Sequence, residues 1–492
     1  MEFEEDEAVT THPKLSKPKN PLHFESISSQ DSILPMPNLP TELINNISTK
    51  IASLPNTKLR SLFFPQQNSQ LQRVLISATQ MEPQEDEAFT KPAHISSQDS
   101  IMPMPNLPTE LITEILLKLP VKSLLKFRSV SKSWLSLISS PDFVKTHLLL
   151  SASNKDYTHH GLMFKFASTS DRGVKDRSVS ALFASISDRG IKDCSLSALL
   201  CDSVTEAFDL DYPGKYYPND YPRFVGSVNG LICLAINRFM GLDDLFLWNP
   251  SIRKYKKLPS CRLNQSRCYH EQALDGFNFG FAYDEFQDDY KVVGIFPISG
   301  KIRLCRIEVQ IYSLKSNSWR RIDDFQGREL LNAPAKCVNG KLHWLDKQRN
   351  IISIDLADEK WAEVERPYSE GCGYVKLGVF GSDLAVLCNY GRTHVDVWVM
   401  TEYGVKESWT KMFTVKFPND SMGIFYPPIL MSNEGEILLK FGSRFTKYNP
   451  KDDSIRYVDV TNFAPCIEAE IYVKSLVCPF YRGDHERTNN GG

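Results

Sequence analysis

The sequence predicts a multidomain α plus all-β protein: a disordered N-terminal segment, three short helices, then a β-propeller-like domain of about six blades. Three observations carry this. Residues 1–100 are rich in Ser, Pro, Gln and charge with few aromatics, so they bury too little apolar surface to offset the entropy of ordering. Residues 107–148 carry apolar residues at three- and four-residue spacing, punctuated by prolines. From about residue 155 the spacing shifts to short alternating runs separated by turn residues.

The helical stretch reads LPTELITEILLKLPVKSLLKFRSVSKSWLSLISSPDFVKTHL. Pro108 suits a first turn, where no intrahelical donor is needed, and Glu110 suits the positive end of the helix dipole. Leu111, Ile112, Ile115, Leu116 and Leu119 cover a wide apolar arc. Pro120 closes that helix and opens a second with Val121, Leu124, Leu125 and Phe127. Ser131 caps a third through Trp134, Leu137 and Ile138, which Pro141 stops. A unit of this size is marginal alone. It holds no cysteine for a disulfide or zinc staple, so a partner covering the surplus apolar surface is the expected device. The plainer alternative is a three-helix core packed on the rest of the chain.

Residues Leu107-Pro108-x-Glu110-Leu111, Ile115-Leu116-x-x-Leu119-Pro120, Leu124-Leu125, Arg128-x-Val130-x-Lys132-x-Trp134, Ile138 and Phe143 together resemble an F-box, the adaptor-docking module of SCF-type ubiquitin ligases. The resemblance spans the motif without a gap and fixes prolines, charges and a tryptophan as well as leucines. It implies that Leu107, Pro108, Glu110, Leu111, Ile115, Leu116, Leu119, Pro120, Leu124 and Leu125 serve the contact with a Skp-type adaptor, and through it with a cullin and RING subunit. Trp134 is assigned to the module's own core.

The front of the chain is duplicated. Residues 27–44, ISSQDSILPMPNLPTELI, return at 95–112 with one change, and Met1-Glu-Phe-Glu-Glu-Asp-Glu-Ala resembles Met81-Glu-Pro-Gln-Glu-Asp-Glu-Ala. After Ile44 the first copy departs: Ile47, Ile51 and Leu54 keep helical spacing, but nothing corresponds to Arg128, Trp134 or Phe143. A second, weak adaptor site is one reading. A truncated duplication whose ancestral start is Met81 is the preferred one. A shorter repeat, at Ser170-Asp-Arg-Gly and again at Ser187-Asp-Arg-Gly, cannot place both copies in one strand position. The second copy, continuous with Leu199 to Leu210, is expected to be the structural one.

Five later segments share a layout of turn, apolar strand, variable loop and a strand ending in an aromatic. They are SVNGLICLAI…DLFLWNPSIRKYKKL, DDYKVVGIF…VQIYSLKSNSWRRI, CVNGKLHWL…IISIDLADEKWAEV, GSDLAVLCN…VDVWVMTEYGVKESWTKM and NEGEILLKF…RFTKYNPKDDSIRYVDV. Trp248, Tyr312, Ile354, Trp398 and Tyr448 stand at equivalent points, roughly forty to sixty-five residues apart, the period of four-stranded propeller blades. Asn249-Pro250, Asn449-Pro450 and Lys315-Ser-Asn-Ser are turn chemistry between third and fourth strands. An initial blade around Leu199–Leu210, closed by a late strand such as Ile471–Val477, brings the total to about six. A two-sheet sandwich stack is the alternative.

Gly226-Ser-Val-Asn-Gly-Leu-Ile-Cys, Leu247-Trp-Asn-Pro-Ser-Ile-Arg-Lys and Phe279-Gly-Phe-Ala-Tyr-Asp make this region similar to the plant type 1 F-box-associated domain, a kelch-related propeller, although no regular Gly-Gly pair marks each blade. Within that family it resembles both the pollen S-locus F-box group and the F-box/kelch proteins that restrain immune receptors. The expected division is residues 1–100 mostly disordered with a partial F-box start at 27–54, residues 101–150 the F-box, residues 155–480 the propeller-like domain, and residues 481–492 a disordered tail.

Composition narrows the chemistry. A net charge of −2 gives no general pull toward nucleic acid or membrane. No basic, then apolar leader and no run approaching a membrane span is present in the sequence. Eleven cysteines without a C-x-x-C pair fit free thiols in a reducing compartment, cytoplasmic and/or nuclear. His159-His160 and the acidic run Asp284-Glu285…Asp288-Asp289 invite a metal reading, but adjacent histidines diverge on a strand and the run lacks calcium-loop order. The acidic run is expected to be a solvated connecting loop. No G-x-S-x-G, phosphate loop or dinucleotide fingerprint occurs, and Cys372, a candidate exposed thiol, has no histidine neighbour in sequence. The basic strip Arg253, Lys254, Lys256 and Lys257 reads as a charged outer strand.

The chain is therefore expected to be a non-catalytic substrate receptor without cofactor or metal, binding a target protein through long loops at Tyr212–Arg223, Cys261–Phe277 and Glu365–Tyr374. Tyr216, Tyr217, Arg262, Arg267, Tyr269 and Tyr368 are candidate contacts, because Tyr and Arg are favoured interface anchors. A non-degradative adaptor-binding scaffold and a propeller enzyme are the rival readings.

Overall fold

The structure, a computed structural model, describes residues 109–169, 186–201, 205–215, 221–237, 244–261, 278–298, 306–322 and, with short breaks, 325–481. The expected disordered segment, its partial repeat at 27–54, and the first copy of the short repeat all lie outside the described residues.

Helices α1 (Thr109–Leu117), α2 (Val121–Phe127) and α3 (Lys132–Ser139) follow the apolar spacing and the prolines. Ser131 caps α3 by accepting from the Trp134 N–H at 3.1 Å. Pro141 does more than stop α3. It occupies the first turn of a fourth helix, α4 (Pro141–Ala152), while Ser140 accepts from the Phe143 N–H. Proline's fixed φ suits that position as well as it suits a stop, and the three-helix expectation missed this second role.

The β region is a ring of six four-stranded antiparallel blades, which rules out the sandwich stack. From the centre outward, one blade runs β5 (Tyr221–Val228), β6 (Leu231–Asn237), β7 (Asp244–Asn249) and β8 (Lys254–Lys257). The next is β9 (Asn278–Asp284), β10 (Asp289–Ile298), β11 (Arg306–Ser313) and β12 (Ser318–Ile322). It is followed by β13 (Lys336–Val338), β14 (Lys341–Leu345), β15 (Ile351–Asp355) and β16 (Trp361–Val364). Then come β17 (Tyr374–Phe380), β18 (Asp383–Asn389), β19 (His394–Met400) and β20 (Trp409–Lys416). The last of these is β21 (Leu430–Met431), β22 (Ile437–Phe441), β23 (Arg444–Asn449) and β24 (Ser454–Tyr457). Trp248, Tyr312, Ile354, Trp398 and Tyr448 all fall on third strands, as their spacing predicted.

The remaining blade joins both ends of the domain. The late strand β26 (Cys466–Val473) forms its inner edge, followed by β1 (His160–Thr169), β2 (Ile186–Ser195) and the short β4 (Phe208–Asp209). Sequence placed this blade too late, at Leu199–Leu210. Leu196–Leu200 is instead a short helix, α5, capped by Ser195. The second repeat copy, from Ser187, does build β2, and the closing strand starts at Cys466 rather than Ile471. A parallel contact between β3 (Thr205–Glu206) and β25 (Val460–Thr461) adds a second latch. Pairing the domain's last strand with its first gives β1 a partner on both sides and closes the ring, leaving as inner edges only the short ones that face the centre.

The apolar core lies between blades rather than at the centre. Each of the six clusters mixes two neighbours, as where Leu247 and Val225 meet Phe279 and Tyr312, or Leu162 and Phe164 meet Leu438 and Phe445. Every blade thus buries both faces, which explains the long unbroken apolar runs such as Leu231–Ile236.

Candidate functional site

The helical module has its own small core: Leu116, Leu119, Val121, Leu124, Phe127, Ile138 and Phe143 are each at most 3% exposed. Trp134 packs edge-on to Phe127 with ring centres 5.4 Å apart, as expected for a core residue. Leu116, Leu119 and Leu124 therefore turn inward, and the sequence set of adaptor contacts narrows. Leu111, Ile115 and Leu125 are half-buried, Glu110 and Pro120 are exposed, and Ile112 and Leu117 join the half-buried arc. Leu107 and Pro108 lie outside the described residues. Leu135, Leu149 and Leu150, 47%, 62% and 48% exposed, extend the apolar surface onto α3 and α4. Periodicity alone missed the last two because they belong to the unforeseen fourth helix.

A buried polar relay fixes this module to the propeller. His147 on α4 has Nε2 2.9 Å from the Leu119 carbonyl, so that nitrogen carries the proton. Ser151 Oγ then lies between His147 Nδ1 at 3.5 Å and His159 Nδ1 at 3.4 Å. The His159 carbonyl accepts from the Lys474 N–H, just past β26, at 2.8 Å. Burial pushes the His147 imidazole down from its ordinary value, against the pull of the Leu119 carbonyl, which keeps it neutral in this joint. His160 turns to a different partner, its ring 5.3 Å from that of Tyr157.

Register shows where the joint sits. His160 pairs with Val473 at the finishing end of β26, whereas Phe166 pairs with Cys466 at its start. Each blade is a four-strand meander, so connections from one blade to the next reach inner strands at their starting ends. The helical module is at one end of the ring, and the starting ends of the inner strands are at the other. The strands that flank the three segments predicted to choose a target, β4 and β5, β8 and β9, β16 and β17, have their adjoining ends at that second end. Tyr216, Tyr217, Arg262, Arg267 and Tyr269 lie outside the described residues.

Tyr368 is described, and it is only 7% exposed. Its hydroxyl donates to the Arg349 carbonyl, and Arg349 donates in turn to the Cys372 carbonyl. Tyr368 is thus a strut within the loop rather than an open contact, a correction to its candidate role. Cys372 is also buried, its thiol donating to the carbonyls of Tyr374 and Asn389, so it is no exposed nucleophile.

The other chemical candidates resolve into scaffolding. The acidic run is not wholly solvated: Asp284 and Asp289 are 3% exposed. Asp284 accepts from Lys291 at 2.7 Å and from two backbone N–H groups of its turn, while Asp289 caps the next turn through Lys315 N–H. No group of three or more metal-ligating side chains is assembled among the described residues. Arg253, Lys254 and Lys257 are exposed on and beside the outer strand β8, as expected, whereas Lys256 is buried. Inside the ring, Glu470 of β26 lies 4.0 Å from Lys336 of β13. Its carboxyl is pushed up by burial although 21% of the side chain stays accessible, the setting of a group lining a central channel.

A six-bladed propeller with a small helical module fixed to one end defines the class. Residues 104–146 match the F-box domain family, and residues 207–479 match the F-box associated beta propeller domain family. An F-box/kelch-repeat protein of Arabidopsis thaliana is 30% identical over 383 residues, covering 76% of this chain and 96% of that relative. The F-box protein CPR1 of Arabidopsis thaliana is 29% identical over 405 residues, covering 76% and 89%. Among solved structures, TolB of Acinetobacter baumannii aligns over 68% of this chain and 72% of its own at TM-score 0.36 and 10% identity, too low to carry an inference. The chain belongs to the F-box proteins that carry an F-box-associated β-propeller. The first blade begins at His160, well ahead of the matched propeller region.

Proposed function

We propose that this chain is the substrate-recognition subunit of an SCF-type ubiquitin ligase. The F-box binds a Skp-type adaptor, and through it a cullin and RING subunit, while the propeller holds a target protein for ubiquitination. The observation that supports this best is a separation on one ring: the apolar helical face sits at one end, and the strand ends that the inter-blade connections join lie at the other. Such an arrangement needs no catalytic residue of its own, because it works by raising the effective concentration of the target near the conjugating enzyme. The free cysteines support a cytosolic or nuclear setting.

The test is co-purification with the adaptor and a cullin. Leu111 and Ile115 are the residues to change, since they are accessible where Leu116 is core. A Leu111→Asp, Ile115→Asp chain should lose adaptor binding by at least about a hundredfold while keeping its circular-dichroism spectrum, each buried charge costing about 2 kcal/mol or more. Undiminished adaptor binding sinks the assignment. Adaptor binding without cullin in the complex favours instead a non-degradative scaffold.

A further inference from the structure

Lys376, on β17 near its starting end, has no carboxylate counter-charge among the described residues. Strand alternation puts Tyr374, Lys376 and Gly378 on one face, and the segment entering β21 lies against that face. Gly378 permits the approach: a Cβ there would stand 2.5 Å from the Pro427 Cβ. Tyr426 is fixed from its other side. Its N–H donates to the Lys440 carbonyl at 3.0 Å, and its neighbour Phe425 is fully buried with its ring 4.4 Å from that of Phe441.

This construction brings two ammonium groups to one phenol ring. Lys376 Nζ is 3.1 Å and Lys440 Nζ 3.5 Å from the Tyr426 centroid, and Lys376 is 5.2 Å from the Tyr374 ring. Lys440 is satisfied by the carbonyls of Gly442 and Cys466, at 2.7 and 3.3 Å. Lys376 has ring contacts and no carboxylate partner among the described residues. Glu468, whose charge reaches Tyr426 and Lys440, is engaged by Lys165 at 3.1 Å. Burial, then the charge of Lys440, pushes the Lys376 ammonium down to about 7. A cation held at that cost is stabilised by any anion that reaches it. Tyr374, 44% exposed, leaves the cluster open toward the loops.

We propose that Lys376, with Lys440 and the rings of Tyr374 and Tyr426, forms a pocket for an acidic side chain of the protein held at the end of the ring where the inner strands start. It rests on the reading of that end as the target surface. The occupant is a carboxylate, because it is the anion an unmodified protein side chain supplies and Lys376 offers it one charge-assisted hydrogen bond.

The test uses the full chain purified with its adaptor and a fluorescent hexaglutamate peptide, with hexaserine as control, read by anisotropy. Hexaglutamate should bind, more weakly as salt rises. Lys376→Met should weaken it about tenfold, the worth of one charge-assisted hydrogen bond. Lys376→Arg should keep most of the binding, and Lys451→Met, at the opposite end of the ring, should change nothing. Equal binding by wild type and Lys376→Met, or no hexaglutamate binding by a chain that still co-purifies with the adaptor, overturns the pocket and leaves the receptor reading standing. Stronger competition by inorganic phosphate than by succinate overturns the carboxylate assignment. Loss of the adaptor from the wild-type chain overturns the receptor reading itself.

Discussion

His343 is fully buried on β14, with Nδ1 3.1 Å from the Lys336 carbonyl and Nε2 2.7 Å from Tyr403 Oη in the next blade. Burial pushes its imidazole down to about 4. The unfolded chain titrates near 6.5 and so binds a proton that the folded chain refuses. Stability is therefore complete above that value and falls with pH from about 6.5 toward 4, by about 3 kcal/mol in all. Urea midpoints measured across this window should fall less steeply in His343→Leu than in wild type, although His147 and His160 contribute slopes of the same sign. An unchanged slope would contradict this account. Other polar side chains also leave their own blade: Lys291 donates to the Leu356 carbonyl, Lys447 to that of Leu200, and Asn249 to those of Ser475 and Val477. None of these spokes was legible in the sequence, where a buried lysine and a surface lysine look alike. The apolar residues of α1 show the same limit. Spacing identified the apolar arc of α1, but which of Leu111, Ile115 and Leu116 points outward depends on where α4 packs.

At the level of elements, local chemistry was a better guide. The Asn-Pro and Ser-Asn-Ser turns lie between third and fourth strands, because turn residues set the hairpin without help from distant contacts. Asn229-Gly230 and Asn339-Gly340 both turn from a first strand to a second, and both glycines take positive φ, +79° and +69°. Only tertiary packing separates them. A Cβ on Gly230 would collide with the Ser475 side chain and the Val473 carbonyl, whereas a Cβ on Gly340 meets nothing within 4 Å. Gly230→Ala should accordingly destabilise the chain by about 1–3 kcal/mol more than Gly340→Ala, measured by urea denaturation. Equal losses would show that the Ser475 segment is free to move aside. Pro141 was read only in part for a related reason: the residue that ends one helix has the φ that begins another, and the sequence does not say that both roles apply.

The propeller depends on a contact between its first and last strands. β26 supplies the inner strand of a blade whose other strands begin at His160, and just past β26 the Lys474 N–H donates to the carbonyl of His159, whose ring lies by Ser151 of α4. Removing residues 466–481 should expose the β1 edge, with Leu162 and Phe164 losing their cover. The shortened chain should melt without a cooperative transition and self-associate on size-exclusion chromatography. A monomer with an unchanged sharp melt would refute the closure. By itself the sequence determined the F-box, the blade period, the hairpin turns and the switch from helix to strand, because each is written in spacing and local turn chemistry. The closing register of β26 on β1, the buried spokes, the inward turn of Leu116 and the pocket around Lys376 were decided only by the tertiary structure. Each joins residues far apart in the chain, and no local pattern encodes which distant side chains a closed ring brings together.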